Sequence, residues 1–113
     1  MSVGRSNFTL QDLAARVKER AQASADQSYT RQLLDQGVKH CAKKFGEEAV
    51  ETVLAAVGED RDRLIAEAAD LIYHLLVLLE ARGITLAEVE AVLGARTAKS
   101  GLEEKAARPK AKR

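Results

Sequence analysis

The chain has 113 residues, of which 46% are hydrophobic and 4% aromatic, and 18 Lys and Arg nearly balance 17 Asp and Glu. This length fits one domain, and a single cysteine excludes a disulfide scaffold. Strong helix formers dominate, whereas a β-sandwich needs regular turn signals and β-branched runs. We therefore expect an all-α fold, a small bundle of four main helices, whose aromatic-poor core is completed by homodimerisation.

The balance of charge hides a difference between the two ends of the chain. Residues 105–113 carry five positive charges, whereas residues 1–104 carry 13 Lys and Arg against 17 Asp and Glu. We expect residues 1–104 to form a single all-α domain and residues 105–113 a basic, disordered tail. There is no signal-like segment, and the longest apolar run, Leu71–Leu79, is too short to span a membrane. The sequence therefore predicts a cytoplasmic protein that does not contact membranes.

Apolar residues at helical spacing, together with capping residues, predict four helices. Their expected bounds are Thr9 to about Ala21, Ser28 or Thr30 to about Val57, Asp60 or Asp62 to Arg82, and Leu86 to about Ser100. Gly37 and Gly46 lie inside the second of these, each at a cost of about 1 kcal/mol relative to Ala. Such glycines need a reason, such as a close contact, a kink or a ligand.

Four carboxylates face each other across the second and third predicted helices. Glu48 and Glu51 are three residues apart and share one helix face, as do Glu67 and Asp70. The turn between the two helices is short, so they should be antiparallel neighbours. Glu48 with Asp70, and Glu51 with Glu67, have residue numbers that add up to the same value, 118. Opposed residues of an antiparallel pair have this property, so the four carboxylates can converge on one point.

Such a cluster repels itself and loses hydration unless a positive charge neutralises it. Few basic residues within the two helices are placed to do so, and Lys44 is the one that could reach. A divalent cation would resolve the conflict, and all-oxygen ligation favours Mg²⁺, or Mn²⁺, over zinc. The alternative is an ordinary solvated helix face.

Basic residues precede the acidic segment: Arg31, Lys39, His40, Lys43 and Lys44. Beside a metal site, Lys43 and Lys44 are suited to hold phosphate groups, although a solvated basic face is the alternative. No Gly-rich phosphate-binding loop or dinucleotide fingerprint is present. The combination suggests metal-assisted attack of water on a phosphoanhydride.

These motifs resemble a known superfamily. Glu47-Glu48-x-x-Glu51 followed by Glu67-x-x-Asp70 is similar to the all-α nucleoside triphosphate pyrophosphatases, the MazG-like superfamily. The flanking segments look like one branch, the phosphoribosyl-ATP pyrophosphohydrolases: residues 28–30, Gly37, and residues 43–51, 67–79 and 100–105. The resemblance covers about residues 8–108.

The resemblance implies hydrolysis of phosphoribosyl-ATP to phosphoribosyl-AMP and pyrophosphate with Mg²⁺, the second step of histidine biosynthesis, by an all-α homodimer. The metal ligands it implies are Glu48, Glu51, Glu67 and Asp70. The catalytic residues it implies are Glu47, Glu48 and Glu51, with Glu47 orienting water or a second metal ion. The substrate-binding residues that we expect are Tyr29, Thr30, Arg31, Lys43 and Lys44.

Alternatives remain open at this point. A house-cleaning (d)NTP pyrophosphatase would carry the same acidic motif, and a non-catalytic dimerisation module could bind nucleic acid through its basic tail. The second alternative does not explain the symmetry about 118, so we expect no nucleic-acid partner. Residues 28–30 could be a loop and helix cap instead of a phosphate or ribose contact. His74 and Cys41 are expected to be packed core residues.

Overall fold

The computed structural model describes residues 7–58, 60–98, 101 and 105–106. Five helices and no strands are found in these ranges: α1 (Leu10–Ala21), α2 (Tyr29–Asp35), α3 (Val38–Val57), α4 (Arg61–Ala81) and α5 (Leu86–Thr97). The all-α class is thereby confirmed. The residues Ser100, Glu103 and Glu104, and 107–113 of the predicted basic tail, lie outside the described residues.

The predicted number of four helices is wrong because the second predicted helix is two helices. α2 ends at Asp35, and α3 begins at Val38. Between them Gly37 has a φ of 94° and a ψ of 171°, a conformation that residues with a Cβ rarely adopt. Gly37 therefore allows the chain to turn between two helices, whereas Gly46 stays inside α3.

Side-chain capping fixes where the first and the last of the five helices begin. Thr9 with Asp12, and Thr85 with Glu88, form reciprocal capping boxes at the start of α1 and α5. Gly83, with a φ of 69°, follows the end of α4. The backbone N–H of Gly83 donates to the carbonyl oxygen of Glu80, and that of Ile84 donates to the carbonyl oxygen of Leu79. These two bonds are the pattern of a Schellman motif.

The main packing unit is the hairpin of α3 and α4, which contact each other along their lengths. α1 and α2 pack against α4 and close the core, which contains Val17, Leu33, Cys41, Leu76 and Val77. The second half of α4 supplies two of these residues, as its apolar sequence predicts. No helix of the described residues is long and apolar enough to cross a membrane.

Candidate active site

Three of the four predicted carboxylates meet between α3 and α4. Glu48 from α3 and Glu67 and Asp70 from α4 each place one carboxylate oxygen within 4.8 Å of the others. Glu48 and Glu67 are half-buried, and Asp70 is exposed. The pairing of Glu48 with Asp70 across the hairpin agrees with the antiparallel register that the sequence predicts. We call Glu48, Glu67 and Asp70 the acidic cluster.

The fourth carboxylate, Glu51, lies outside this group and pairs with an arginine. Its Oε1 accepts a hydrogen bond of 3.1 Å from the Arg63 guanidinium. The Nε of Arg63 also lies 3.9 Å from Glu67 Oε2. The expectation of few neutralising residues within the hairpin overlooked Arg63. Its position four residues before Glu67 on α4 is the signal that could have found it.

Burial and neighbouring negative charges act together on Glu67. Desolvation raises the pKa of Glu67, and the negative charges of Glu48, Glu51 and Asp70 raise it further, in that order. The Arg63 guanidinium opposes these effects in part. The cluster therefore resists ionisation of Glu67, and additional positive charge would relieve this resistance.

The backbones of α3 and α4 are joined beside the acidic cluster by Thr52. Its hydroxyl lies 2.8 Å from the carbonyl oxygen of Glu48 and 3.2 Å from that of Glu67, and its single hydrogen is shared between them. This contact fixes two of the carboxylate-bearing residues relative to each other. The bond of Thr52 to α4 could not be predicted from the sequence, because a mid-helix Thr usually bonds only within its own helix.

Aromatic side chains lie on α2 and α4 next to the site. The Tyr29 ring, half-exposed, stacks on Tyr73 with a centroid distance of 6.4 Å, and His74 meets both rings edge-on. The Thr30 hydroxyl is buried and lies 2.6 Å from the Tyr73 hydroxyl. His74 is buried, as predicted, and burial lowers its pKa, with the charge of Lys44 lowering it further. Tyr73 was not among the predicted site residues.

Residues 28–30 do have the capping role that was one of their two interpretations. Ser28 accepts a hydrogen bond from the backbone N–H of Arg31 and donates one to the carbonyl oxygen of Arg20. The Arg31 guanidinium donates to the carbonyl oxygen of Ala21 and pairs with Asp35 at 2.8 Å. These contacts connect α1 to α2.

The predicted lysines lie on α3, one turn before Glu48. Lys44 is half-buried and pairs with Glu47 at 3.4 Å, while the side chains of Lys43 and Glu47 are exposed. Lys44 is thus directed to Glu47 and not to the acidic cluster. Cys41 is a packed core residue, as expected, and burial raises its pKa.

The helical hairpin that brings carboxylates of α3 and α4 together is the arrangement that the resemblance to the all-α nucleotide pyrophosphatases implies for this class. Within that class, a family model described as phosphoribosyl-ATP pyrophosphohydrolase matches residues 10–97. The chain belongs to this family.

Curated relatives agree with this assignment. The chain is similar to phosphoribosyl-ATP pyrophosphatase 1 of Bradyrhizobium diazoefficiens, with 68% identity over 89% of this chain and 95% of the relative. It is also similar to the phosphoribosyl-ATP pyrophosphatase of Nitrobacter winogradskyi, with 65% identity over 89% of this chain and 87% of the relative. The protein of that name from Nitrobacter hamburgensis is 63% identical over 89% of this chain and 94% of the relative.

Proposed function

We propose that this chain hydrolyses phosphoribosyl-ATP to phosphoribosyl-AMP and pyrophosphate, the second step of histidine biosynthesis. The observation that carries this proposal is the acidic cluster of Glu48, Glu67 and Asp70, within 4.8 Å of one another, in a chain that belongs to the phosphoribosyl-ATP pyrophosphohydrolase family. The names of relatives up to 68% identical support the substrate and the reaction.

The donor chemistry of the site fits Mg²⁺. The acidic cluster offers only carboxylate oxygens, which hard divalent cations prefer, and no thiolate or imidazole belongs to it. In our proposal Glu48, Glu67 and Asp70 hold the ion, with Glu51 as the fourth ligand. When bound, the ion polarises phosphate oxygens and activates water for attack on the phosphoanhydride.

Residues of α3 that precede the cluster are proposed to orient the attacking water and to hold the phosphates of the substrate. Glu47 is exposed one residue before Glu48, where it would orient the attacking water as a proton acceptor. Lys43 and Lys44 lie a turn earlier on α3, where their ammonium groups would hold the phosphates of the substrate. The Lys44–Glu47 pair would hold both side chains at the entrance to the site.

Residues of α2 are proposed to contact the nucleoside or ribose part of the substrate. Tyr29 is half-exposed and lies against His74, one turn after Asp70 on α4. Thr30 and Arg31 would act mainly by holding α2 in place, since the Thr30 hydroxyl bonds to Tyr73 and Arg31 bonds to Ala21 and Asp35.

We also propose that the chain is a homodimer. Val50, Val53, Leu54 and Val57 form an apolar stripe on α3, and each is at least 50% exposed. This spacing places them on one helix face, which a second copy of the same face would cover with two-fold symmetry. We call these four residues the α3 stripe.

Because the proposed substrate is a highly charged nucleotide that does not cross membranes unaided, we propose that the protein works in the cytoplasm.

The test of the function is pyrophosphate release by the purified protein from phosphoribosyl-ATP and from a panel of dNTPs, with Mg²⁺ or with EDTA. We expect Mg²⁺-dependent release from phosphoribosyl-ATP and little from dCTP or dATP. Preferential release from dNTPs would replace this proposal with the house-cleaning activity. No release from any nucleotide would contradict an enzymatic role.

A further inference from the structure

Arg63 occupies the position between the acidic cluster and Glu51. Its guanidinium donates to Glu51 at 3.1 Å and its Nε lies 3.9 Å from Glu67. The side chains of Arg63 and Glu51 are each 47% exposed, while that of Glu67 is 19% exposed. The arginine thus contacts carboxylates of both α3 and α4, and it does so from the solvent side of the site.

This arrangement provides a counter-charge where the carboxylates otherwise repel each other. One carboxylate oxygen from each of Glu48, Glu67 and Asp70 already lies within 4.8 Å of the others, whereas Glu51 is outside the group. In the position where its Oε1 accepts from Arg63, Glu51 offers no oxygen to this group, so its carboxylate has to shift from that position to ligate an ion at the cluster. Arg63 and a divalent cation therefore compete for Glu51.

We propose that Arg63 is a positioning residue that holds Glu51 at the edge of the acidic cluster until a divalent cation takes Glu51 from it. This inference rests on the proposed metal site. It means that an internal cation, the Arg63 guanidinium, is the partner from which an ion must take Glu51. Metal binding then exchanges one cationic partner of Glu51 for another. Because the Arg63–Glu51 pair must break, the free energy of metal binding is less favourable by the stability of that pair.

The inference is tested by measuring Mn²⁺ binding to the full chain by electron paramagnetic resonance, in which the signal of free Mn²⁺ disappears as the ion binds. Arg63→Gln is expected to bind Mn²⁺ about threefold more tightly, as follows from the small net stability of a half-exposed ion pair. Arg61→Gln is the matched control, because it removes the same charge from the first residue of α4. We expect its affinity to stay close to that of the wild type.

The role of Glu51 is isolated by a double-mutant cycle. In the Glu51→Gln background, Arg63→Gln is expected to raise Mn²⁺ affinity clearly less than in the wild type, because only the contact of Arg63 with Glu67 remains to be lost. A gain of the same size in that background, or in Arg61→Gln, would show a general charge effect and overturn the inference. Weaker Mn²⁺ binding by Arg63→Gln would also overturn it.

A second measurement keeps the test decisive if the Arg63→Gln chain does not fold. In the wild type, the NMR resonance of the Arg63 Nε–H is expected to shift as Mg²⁺ is added. The midpoint of this shift should coincide with the midpoint of metal binding, while the resonance of the Arg61 Nε–H stays in place. An Arg63 resonance that does not respond would contradict the exchange. A wild-type chain that binds neither ion would instead refute the proposed metal site itself, which separates the two failures.

Discussion

At the scale of single residues, Glu67 shows the electrostatic conflict of the site. Its side chain is 19% exposed, and desolvation together with three neighbouring carboxylates raises its pKa. Arg63 supplies only one positive charge from 3.9 Å. A bound divalent cation would remove the remaining repulsion, which connects the geometry of the acidic cluster to its proposed use.

Thr52 provides a prediction at the same scale. Thr52→Val removes the hydroxyl that bonds to the Glu48 and Glu67 carbonyl oxygens while it keeps the shape of the side chain. We expect the free energy of unfolding to fall by about 1 kcal/mol, as for the loss of a partly buried hydrogen bond. Urea denaturation measures this change.

Thr97→Val is the matched control for Thr52→Val. The Thr97 hydroxyl donates to the Leu93 carbonyl oxygen within α5, has no second partner among the described residues, and is exposed. Its substitution should change stability by less than about 0.5 kcal/mol. Equal effects of the two substitutions would contradict a role for Thr52 in joining α3 to α4.

The residues of the site were predictable to different degrees. Helical periodicity and the antiparallel register place Glu48, Glu67 and Asp70 together, because these depend on the backbone alone. The partner of Glu51 depends on which rotamer Arg63 adopts when several carboxylates compete for it. That competition is decided by side-chain geometry, which a spacing argument does not contain.

At the scale of helices, the break between α2 and α3 depends on Gly37. With a φ of 94° it adopts a conformation that costs a residue with a Cβ about 1 to 3 kcal/mol. The sequence placed Gly37 and Gly46 inside one helix and offered no way to tell which of them breaks it. Both have open space around the position of a Cβ, so the backbone conformation alone separates them.

This difference yields a paired prediction. Gly37→Ala should destabilise the protein by about 1 to 3 kcal/mol through backbone strain. Gly46→Ala, inside α3, should stabilise it by up to about 1 kcal/mol because alanine favours the helix. Urea unfolding of both variants measures the effects, and the same sign for both would contradict the assigned conformations.

The capping box of α5 predicts a pH dependence. Hydrogen bonds from the backbone N–H and the hydroxyl of Thr85 lower the pKa of Glu88. Because the folded state favours the carboxylate, this contribution to stability is present above the unfolded pKa and is lost as the pH falls through the lower, folded pKa.

The Thr85 amide proton resonance reports this event. Between about pH 6 and pH 3 it should shift as the Glu88 carboxylate becomes protonated, with a midpoint below the usual Glu value. Glu88→Gln retains an acceptor but does not titrate, and its Thr85 amide should stay in place. An unchanged shift in the wild type would be inconsistent with the capping box.

At the scale of the whole molecule, apolar surface remains uncovered on the hairpin. The α3 stripe is exposed, with Val57 at 71%, and no residue of α5 is buried. The small core, to which α3 contributes Cys41, leaves another face of α3 uncovered by the part of the chain that the structure describes. We propose that a second copy of the chain covers this face. The aromatic-poor composition predicted a homodimer, but it did not indicate which face forms the interface.

The α3 stripe gives the corresponding prediction. The chain should elute with about twice the mass of 12.3 kDa of one copy, measured by light scattering. Val53→Glu, in the centre of the stripe, should shift the mass to that of one copy, because an ionised carboxylate cannot be buried there without a partner. Leu10→Glu, at a comparably exposed apolar residue on α1, is the control and should remain a dimer. A wild-type chain that is monomeric at micromolar concentration would contradict the proposed assembly.

The central claim, that the acidic cluster hydrolyses phosphoribosyl-ATP, is tested most directly by the turnover of Glu67→Gln. Under saturating Mg²⁺ and phosphoribosyl-ATP, we predict that kcat falls at least about 100-fold relative to the wild type, because even residues that only support metal ligands contribute 10- to 100-fold. Asp62→Asn, an exposed carboxylate in the first turn of α4, should retain wild-type turnover. A folded Glu67→Gln chain with undiminished pyrophosphate release would contradict the account.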